Sequence, residues 1–396
     1  MSANQEGLLQ GIKVVDFGRY VAGPWCAQLL LGMGAEVLRV ERPGGGEDRF
    51  LFPLADDMGA YLLHCNRGKR SLTLNPTKPA GREIVAKLVA WADVIVANMP
   101  GDSLATMGLD WESVHAANPR AILATASTFG TTGPYAGRVG FDGIGQVMSG
   151  SAYLSGQPGD PVKAFVPWVD YSTASNLAMG VAGALVKRSI TGLGVRIEAS
   201  LLGTALAAMG HVICEEAATG IGRVATGNRH PAAGPSDIVA TLDGSIIVQV
   251  VGNPIFARFA KAIGQPELID DPRFATDELR GENGVVISAI AAQWCGSRTT
   301  AQALEDFAAN SVPAGPVLSP KQALADPHIR TELIETATVD SVPGGVPVVS
   351  FPLRFSDGSG RFGMRTSSVG EHTNEVLGSL GYSPDAIAAL REQRIV

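Results

Sequence analysis

Residues 11–41 read GIKVVDFGRYVAGPWCAQLLLGMGAEVLRVE. Apolar runs at residues 13–17 and 36–40 predict two strands, and the apolar run from Pro24 to about Met33 predicts a helix between them. Two parallel strands need a long crossover connection, which is usually a helix. The stretch therefore predicts a βαβ unit.

The same alternation continues through the first half of the chain. Further strands are predicted at residues 71–74, 93–97, 121–126 and 195–199, and helices at residues 81–91, from 170 to about 189, and 201–217. Strands that alternate with helices indicate an α/β fold with a parallel sheet.

The pattern changes after residue 219. Residues 219–236 are rich in Gly, Pro and Ala and predict a long connection, and Asp243-Gly244 between two apolar runs predicts a hairpin. Further helices are predicted at residues 254–263, 285–294, 299–310 and 320–325. These elements indicate a smaller α+β domain at residues 225–325. A second hairpin near Gly344-Gly345 and a helix at residues 385–394 complete the expected elements.

Composition excludes several classes of protein. The 396 residues carry a formal net charge of −7 and no run of five like charges, which disfavours binding to nucleic acid. The first ten residues lack the pattern of a secretory signal, and no apolar stretch approaches the length of a membrane span. The four cysteines have no CxxC spacing and predict reduced thiols. We expect a soluble, cytoplasmic protein with no bound metal and no membrane partner.

The turn after the first strand does not have the glycines of a dinucleotide site. Gly18 and Gly23 are five residues apart and no G-x-G-x-x-G is present, which disfavours a nicotinamide or flavin enzyme. None of the six histidines has Ser or Cys around it in a G-x-S-x-G-like frame, which disfavours a serine hydrolase.

Two basic clusters are candidates for binding phosphate groups. Arg39 and Arg42 lie at the end of the second strand, and Arg67, Lys69 and Arg70 precede the third. Arginine binds phosphate through a bidentate fork and lysine binds it as a point charge. The alternative for such a run of charges is a solvated loop.

Asp170 is the most suggestive acid. It follows an extended apolar stretch and opens the long helix, so its simplest role is that of an N-cap. A helix N-terminus lowers the pKa of a carboxyl group, which predicts an ionised Asp170 at neutral pH. Such a carboxylate can attack a thioester or an anhydride without a general base.

Taken together, these segments resemble the class III CoA-transferases nearly end to end. That family includes formyl-CoA:oxalate and carnitine CoA-transferases and is related to the α-methylacyl-CoA racemases. The segments that carry the resemblance are residues 11–48, 65–75 (CNRGKRSLTLN), 92–101 (ADVIVANMPG), 107–111 (MGLDW), 118–134 (NPRAILATASTFGTTGP), 140–150 (GFDGIGQVMSG), 169–180 (VDYSTASNLAMG), 227–244 (GNRHPAAGPSDIVATLDG) and 369–377 (VGEHTNEVL).

The resemblance implies a fold and a set of functional residues. The expected fold is a Rossmann-like large domain, residues 1–224 and 326–396, with the small domain between them, in an interlocked homodimer. The nucleophile of the family matches Asp170. The positions expected to contact CoA are Arg19, Val21, Ala22, Arg42, Lys69, Arg70, Asn98, Met99, Arg138 and Phe141.

The resemblance also implies the reaction. The substrates would be an acyl-CoA and a small carboxylic acid, with coenzyme A as a substrate and no other cofactor. The expected intermediates are an acyl-aspartyl anhydride and an aspartyl-CoA thioester on Asp170.

This sequence departs from the formyl-CoA enzyme at several positions. Arg19 replaces a His, Val21 a Gln, Thr106 a phosphate-binding Arg and Phe141 a Tyr, and the tetraglycine loop is missing. Oxalate is therefore not the expected acceptor. Thr106 cannot bind phosphate as the Arg of the formyl-CoA enzyme does, and Arg138 is the candidate to make that contact instead.

The α-methylacyl-CoA racemases related to this family use a histidine as a catalytic base, and this sequence has no histidine at the matching position. Those enzymes have a G-H-D-x-x-Y motif, whereas residues 140–145 read GFDGIG, and Phe141 cannot accept a proton. The sequence therefore favours a transferase over a racemase. A CoA-binding paralogue without turnover is the other alternative.

Overall fold

The structure is a computed structural model that describes residues 7–55 and 58–396. The strands of the described residues are β1 (Lys13–Asp16), β2 (Glu36–Glu41), β3 (Pro53–Ala55), β4 (Met58–Gly59), β5 (Arg70–Thr73), β6 (Val94–Ala97), β7 (Ile122–Ser127), β8 (Gly156–Gln157), β9 (Asp160–Pro161), β10 (Arg196–Ser200), β11 (Ser236–Ala240), β12 (Ser245–Gln249), β13 (Ala314–Pro316), β14 (Ile334–Ala337) and β15 (Val346–Val349).

The α-helices are α1 (Ala22–Gly32), α2 (Ala60–Asn66), α3 (Pro79–Trp91), α4 (Gly101–Met107), α5 (Trp111–Ala117), α6 (Asp142–Met148), α7 (Ser151–Leu154), α8 (Trp168–Thr191), α9 (Leu201–Ala208), α10 (Gly210–Thr219), α11 (Asn253–Ala262), α12 (Asp277–Glu282), α13 (Gly284–Cys295), α14 (Thr300–Ala309), α15 (Pro320–Ala325), α16 (Pro327–Glu332), α17 (Thr373–Ser379) and α18 (Pro384–Glu392).

Six parallel strands form the main sheet, in the order β10-β7-β6-β1-β2-β5. The six predicted strands agree with the observed ones to within one residue at either end, so the predicted α/β fold is confirmed. The strand order reverses between β1 and β6, and ligands of open α/β sheets bind at the carboxyl ends of the strands at such a reversal.

Both faces of the sheet are covered by helices. Val14 and Val15 are fully buried and project to opposite faces, Val14 into the core formed with α1 and α8 and Val15 into the core formed with α3 and α18. Burial on both faces explains why the central strands β6 and β7 are apolar over most of their length, whereas the edge strand β10 is partly exposed and alternates polar and apolar residues.

The chain forms two compact units. The first comprises residues up to Ser149, Ala164–Ile213 and Arg330–Val396, and the second Gly150–Lys163 and Cys214–Ile329. Within the second unit β11, β12 and β13 form an antiparallel sheet, and the hairpin predicted at Asp243-Gly244 joins β11 to β12. The predicted small domain, residues 225–325, is shorter than this unit and omits residues 150–163.

Most helix boundaries differ from the sequence prediction by one or two residues, and two of the differences bear on the structure described below. The helix predicted at residues 201–217 breaks at Met209 into α9 and α10, and the long helix begins at Trp168 instead of Asp170. In the described residues no single helix is long and apolar enough to cross a membrane; the α9–α10 pair has the length and composition but bends by 68°.

The C-terminal segment returns to the loop before β5. The Gly68 N–H donates to the carbonyl of Arg365 at 2.7 Å, and a Cβ on Gly363 would lie only 2.3 Å from the Gly68 Cα. The Ser367 hydroxyl donates to the carbonyl of Lys69 at 2.7 Å. The C-terminal residues therefore hold in place the loop that the sequence analysis marked as basic.

Candidate active site

Asn98 joins the two loops at the reversal of strand order. Its Oδ1 accepts from the main-chain N–H of Arg19 at 2.7 Å, and its Nδ2 donates to the Arg19 carbonyl at 2.8 Å. A Cβ on Gly23 would lie 2.9 Å from the Asn98 Oδ1, so the close approach of α1 requires glycine there. The turn after β1 is thereby fixed to the end of β6.

A cleft of about 290 Å³ opens at the carboxyl ends of β1, β2, β5 and β6. Of the positions predicted to contact CoA, Arg19, Arg42 and Met99 line it. The complete lining is Phe17, Gly18, Arg19, Arg39, Val40, Glu41, Arg42, Gly46, Glu47, Asp48, Leu74, Pro76, Met99 and Met107. The cleft lies where the topology places a nucleotide-like ligand.

Glu47 lies between the two exposed arginines of the cleft. Its carboxylate accepts from Nε and Nη2 of Arg19, and its Oε1 is 3.8 Å from Nη1 of Arg42. Partial burial alone would raise the pKa of Glu47, but the hydrogen bond from Arg19 lowers it below its usual value. Both guanidinium groups therefore already have a carboxylate partner.

The loop of Arg67 and Lys69 is buried, so the alternative of a solvated loop is wrong. The Lys69 ammonium donates to Asp16 Oδ2 at 2.7 Å, to the Pro24 carbonyl at 2.7 Å and to Asn66 Oδ1 at 2.9 Å. Asp16 Oδ1 accepts in turn from the main-chain N–H of Gly18 at 2.7 Å. All three ammonium protons are used within the protein, where they position the turn after β1.

A buried ion-pair network forms the base of the cleft. Arg39 pairs with Asp48 through two bonds of 2.7 and 2.6 Å, and Arg49 pairs with Glu41 through two bonds of 2.8 and 2.6 Å. Burial alone would raise the pKa of Glu41, but Arg49 and Arg39 lower it to about 2. Arg39, one of the predicted phosphate contacts, therefore has an internal carboxylate partner.

Arg138 and Phe141 lie in the segment after β7. Arg138 is exposed, with its guanidinium 4.3 Å from the centroid of the Tyr135 ring. Phe141 is 69% exposed and its ring meets that of Tyr20 edge-on, with 5.9 Å between centroids. Neither residue lines the cleft, but both have free surface that a ligand could cover.

The other predicted CoA positions have structural partners. Val21 and Ala22 are buried at the start of α1, and Arg70 bridges Glu36 and Glu375 at 2.7 and 3.0 Å. Thr106, which replaces the phosphate-binding Arg of the formyl-CoA enzyme, donates its hydroxyl proton to the carbonyl of Asp102 on the same helix.

Asp170 is not the N-cap of α8, which corrects the sequence prediction. The helix begins at Trp168, so Asp170 is its third residue and lies in the first turn. The oxygen that caps this turn belongs to Asp142, whose Oδ1 accepts from the main-chain N–H groups of Val169 at 2.8 Å and Asp170 at 3.1 Å.

The ionisation predicted for Asp170 is also corrected. Burial, together with the nearby negative charge of Asp142, raises the pKa of Asp170 from 3.8 to about 7. The helix N-terminus does not outweigh these two effects. Asp170 is therefore only partly ionised at neutral pH.

Aromatic side chains surround the first turn of α8. The ring of Tyr171 lies edge-on to Trp25 at 5.6 Å and to His64 at 5.7 Å, and His64 stacks on Trp25 at 4.6 Å. Burial, with the charge of Arg67, lowers the pKa of His64 to about 4, so this imidazole is neutral at pH 7. The half-buried carboxyl of Asp170 thus lies beside an apolar wall without a protonated histidine.

The sequence analysis missed two functional candidates, Asp142 and Glu47. Asp142 stood in the quoted segment 140–150, but only the missing base at its neighbour was considered. Its signal was an Asp followed four residues later by Gln146, a pair that meets on one face of a helix. Glu47 gave no signal, because only its spatial neighbours distinguish it from a surface carboxylate.

Comparison with known proteins assigns the family. A model described as CoA-transferase family III matches residues 9–373. The chain is 34% identical over 393 residues to the succinyl-CoA--D-citramalate CoA-transferase of Chloroflexus aurantiacus, with 98% of each chain covered. It is 34% identical over 390 residues to the succinate--glutarate CoA-transferase of Agrobacterium fabrum, covering 95% of this chain and 96% of that one.

Solved structures agree. A CAIB/BAIF family protein from Brucella suis has a TM-score of 0.83 at 33% identity, with 95% of this chain and 100% of that chain covered. The family match extends from just before β1 to the start of α17 and covers all of the second compact unit and most of the first. The chain is a member of CoA-transferase family III.

Proposed function

We propose that this protein transfers CoA from the thioester of a dicarboxylic acid, such as succinyl-CoA, to a second carboxylic acid, with Asp170 as the nucleophile. The observation that carries the proposal is the half-buried carboxyl of Asp170 in the first turn of α8, held there by Asp142. Helix α8 leads into β10, which runs parallel to β7, so α8 is a crossover helix whose first turn belongs to the carboxyl edge of the sheet, the edge at which the cleft opens.

The proposed reaction begins with attack of the Asp170 carboxylate on the thioester carbonyl. The carbon–sulfur bond breaks, which gives an acyl-aspartyl anhydride and the CoA thiolate. The thiolate attacks the aspartyl carbonyl of the anhydride and releases the donor acid as a carboxylate. Asp170 is now an aspartyl-CoA thioester.

The second half of the reaction repeats the first half in reverse order, with the acceptor acid in place of the donor acid. The acceptor carboxylate attacks the aspartyl-CoA carbonyl and releases the thiolate, and a second anhydride forms. Attack of the thiolate on the acceptor carbonyl gives the new acyl-CoA and the free Asp170 carboxylate. No net proton is consumed, so the reaction needs no dedicated general acid or base.

The raised pKa of Asp170 suits this role. A more basic carboxylate is a stronger nucleophile, and partial burial removes some of the water that would otherwise solvate its charge. Near neutral pH the ionised form is still a substantial fraction. The Asp170 carboxylate is therefore both a stronger nucleophile than an ordinary aspartate and still ionised in a substantial fraction of the molecules.

We assign the phosphate groups of CoA to the cleft. Arg19 and Arg42 are its exposed cations, with side chains 48% and 60% exposed, and Met99 supplies apolar surface beside them. Arg138 and Phe141 would cover the part of CoA that extends beyond the cleft. Asn98 and Lys69 would act indirectly, since their polar groups hold the loops.

The acyl specificity in this proposal rests on the relatives. The two proteins compared above are named for succinyl-CoA or succinate, together with citramalate or glutarate. All of these acids carry two carboxylates. The homodimer implied by the resemblance and the cytoplasmic location expected from the sequence composition stay predictions.

Mass spectrometry of the intact protein after incubation with succinyl-CoA tests the proposal. We expect an acyl or CoA adduct on the wild type and none on Asp170→Asn or Asp170→Ala. An adduct that survives in both variants would contradict Asp170 as the nucleophile. If no adduct forms, exchange of the α-proton of an acyl-CoA in deuterated buffer would instead identify a racemase. CoA binding without either signal would identify a non-catalytic CoA-binding protein.

A further inference from the structure

Helix α8 receives its N-terminal cap from another helix. Its own N-cap residue is Pro167, which has no side-chain acceptor. Asp142 is the first residue of α6, is 7% exposed, and supplies the missing oxygen to the N–H groups of Val169 and Asp170. Main-chain N–H groups in the first turn of a helix have no intrahelical partner, so this contact fixes where α8 begins.

Helix α6 also holds the chain that leads to α8. Gln146 donates through Nε2 to Asp142 Oδ2 and accepts through Oε1 from the main-chain N–H of Ala164 at 2.8 Å. The segment from Ala164 to Asp170 is therefore held at both ends by two side chains one helical turn apart on α6. The position of Asp170 depends on this pair of contacts.

Asp142 brings a negative charge as well as an acceptor. Across residues 7–55 and 58–396, no Lys or Arg side chain forms an ion pair with it. Within the part of the chain that the structure describes, the titratable groups near the first turn of α8 include Tyr61, His64 and Cys65 on α2 and Tyr171 on α8 itself. They are neutral at pH 7, because the pKa of each tyrosine and of Cys65 is raised and that of His64 is lowered.

We propose that Asp142 is a positioning residue that holds the first turn of α8 through two main-chain amides and places a second negative charge behind the nucleophile. This inference rests on the proposed function. The repulsion between the two carboxylates acts on free Asp170 and disappears when Asp170 becomes an anhydride or a thioester. Asp142 therefore favours the covalent intermediates over the free enzyme.

The test removes the negative charge of Asp142 and keeps an oxygen that can accept from the N–H groups of Val169 and Asp170. Asp142→Asn retains an oxygen for the two amides but replaces the oxygen that accepts from Gln146 with an NH2 group, and Asp142→Ser is a second neutral variant in case the first does not fold. We expect the acid limb of the kcat/KM profile to move to lower pH by about one unit, as is typical when a neighbouring like charge is removed. We also expect the fraction of enzyme present as adduct, at fixed succinyl-CoA and succinate, to fall severalfold.

A matched control is Asp110→Asn. Asp110 caps α5 by accepting from the Ser113 N–H at 2.9 Å, in the same compact unit but outside the cleft lining. Its variant should leave the acid limb and the adduct fraction unchanged. A purely structural Asp142 would give variants with lower thermal stability but a wild-type acid limb, and that result would overturn the proposal.

A second measurement separates this proposal from the proposed function. The ionised carboxylate of Asp170 destabilises the folded state, because its pKa is higher there than in the unfolded chain. Asp170→Asn should therefore raise the free energy of unfolding at pH 8, where Asp170 is ionised, more than at pH 4, where it is protonated. If the charge of Asp142 causes part of this destabilisation, Asp170→Asn should raise the free energy of unfolding by less when Asp142→Asn is also present. Equal gains in both backgrounds overturn the role of Asp142. Absence of an adduct on the wild type overturns only the transferase mechanism.

Discussion

The side chain of Asn98 pairs with both the N–H and the C=O of Arg19, at 2.7 and 2.8 Å. One amide group thus connects the ends of β6 and β1, the two strands between which the sheet reverses its order. The cleft lies against this connection, so the Asn98 amide is one of the side chains that fix its geometry.

Asn98→Ala removes the connection and should raise the KM for acyl-CoA about tenfold while kcat changes little, since two lost hydrogen bonds are worth about 1–2 kcal/mol. Steady-state kinetics measures both constants. Asn310→Ala is the control, because the Asn310 amide donates only to its own helix. An equal fall in kcat with unchanged KM would show that the connection serves chemistry instead of binding.

Lys69→Met should destabilise the protein by about 3 kcal/mol or more, because it leaves the buried Asp16 carboxylate without its cation. Arg70→Met in the same loop is the control. Arg70 is partly exposed, so its loss should cost no more than about 1 kcal/mol. Urea denaturation of the two variants measures the difference, and equal midpoints would contradict a structural role for Lys69.

Glu47→Gln should strengthen CoA binding. The substitution removes the carboxylate that occupies both Arg19 and Arg42, and an exposed ion pair of about 1 kcal/mol corresponds to about fivefold in the dissociation constant. Isothermal titration with CoA at low and high salt measures the effect. Glu332→Gln, which breaks the pair with Arg354, should leave binding unchanged. Weaker binding to Glu47→Gln would mean that Glu47 itself contacts CoA.

The pH dependence of kcat/KM should follow the ionisation of Asp170. In the proposed mechanism the Asp170 carboxylate is the nucleophile, so activity should fall about tenfold per pH unit below the pKa of about 7 and level off above it. The pKa of His64 is about 4, which places its titration outside this range. An acid limb near pH 4, the ordinary range of an aspartate, would contradict the environment described for Asp170.

The sheet was predictable because its strands are buried on both faces. Residues such as Val14 and Val15 form apolar runs that flanking glycines and charges delimit, so the strand ends agree to within one residue. The break at Met209 was not predictable, since the apolar pattern continues across it. Local pattern marked Asp170 as a suggestive acid at a helix start, whereas its role as nucleophile stays a prediction that rests on the resemblance.

The environment of Asp170 could not be predicted in the same way. Its capping oxygen comes from Asp142, 28 residues earlier, and its pKa depends on that contact and on burial. Likewise Lys69 was predicted to contact CoA, because nothing in the local sequence shows that its partner is Asp16, 53 residues away. Local sequence indicates which residues carry charge, whereas the fold decides which of those charges are available to a ligand.

The return of the C-terminal segment bears on biosynthesis. The loop at Lys69 is closed by the hydroxyl of Ser367, 298 residues later, and Arg49 donates to the Ser367 carbonyl across 318 residues. While the ribosome is still translating the segment before Ser367, the nascent chain has no partner for these groups. The base of the cleft is therefore completed only after Ser367 has been synthesised, so a chain that terminates before this residue lacks a finished cleft.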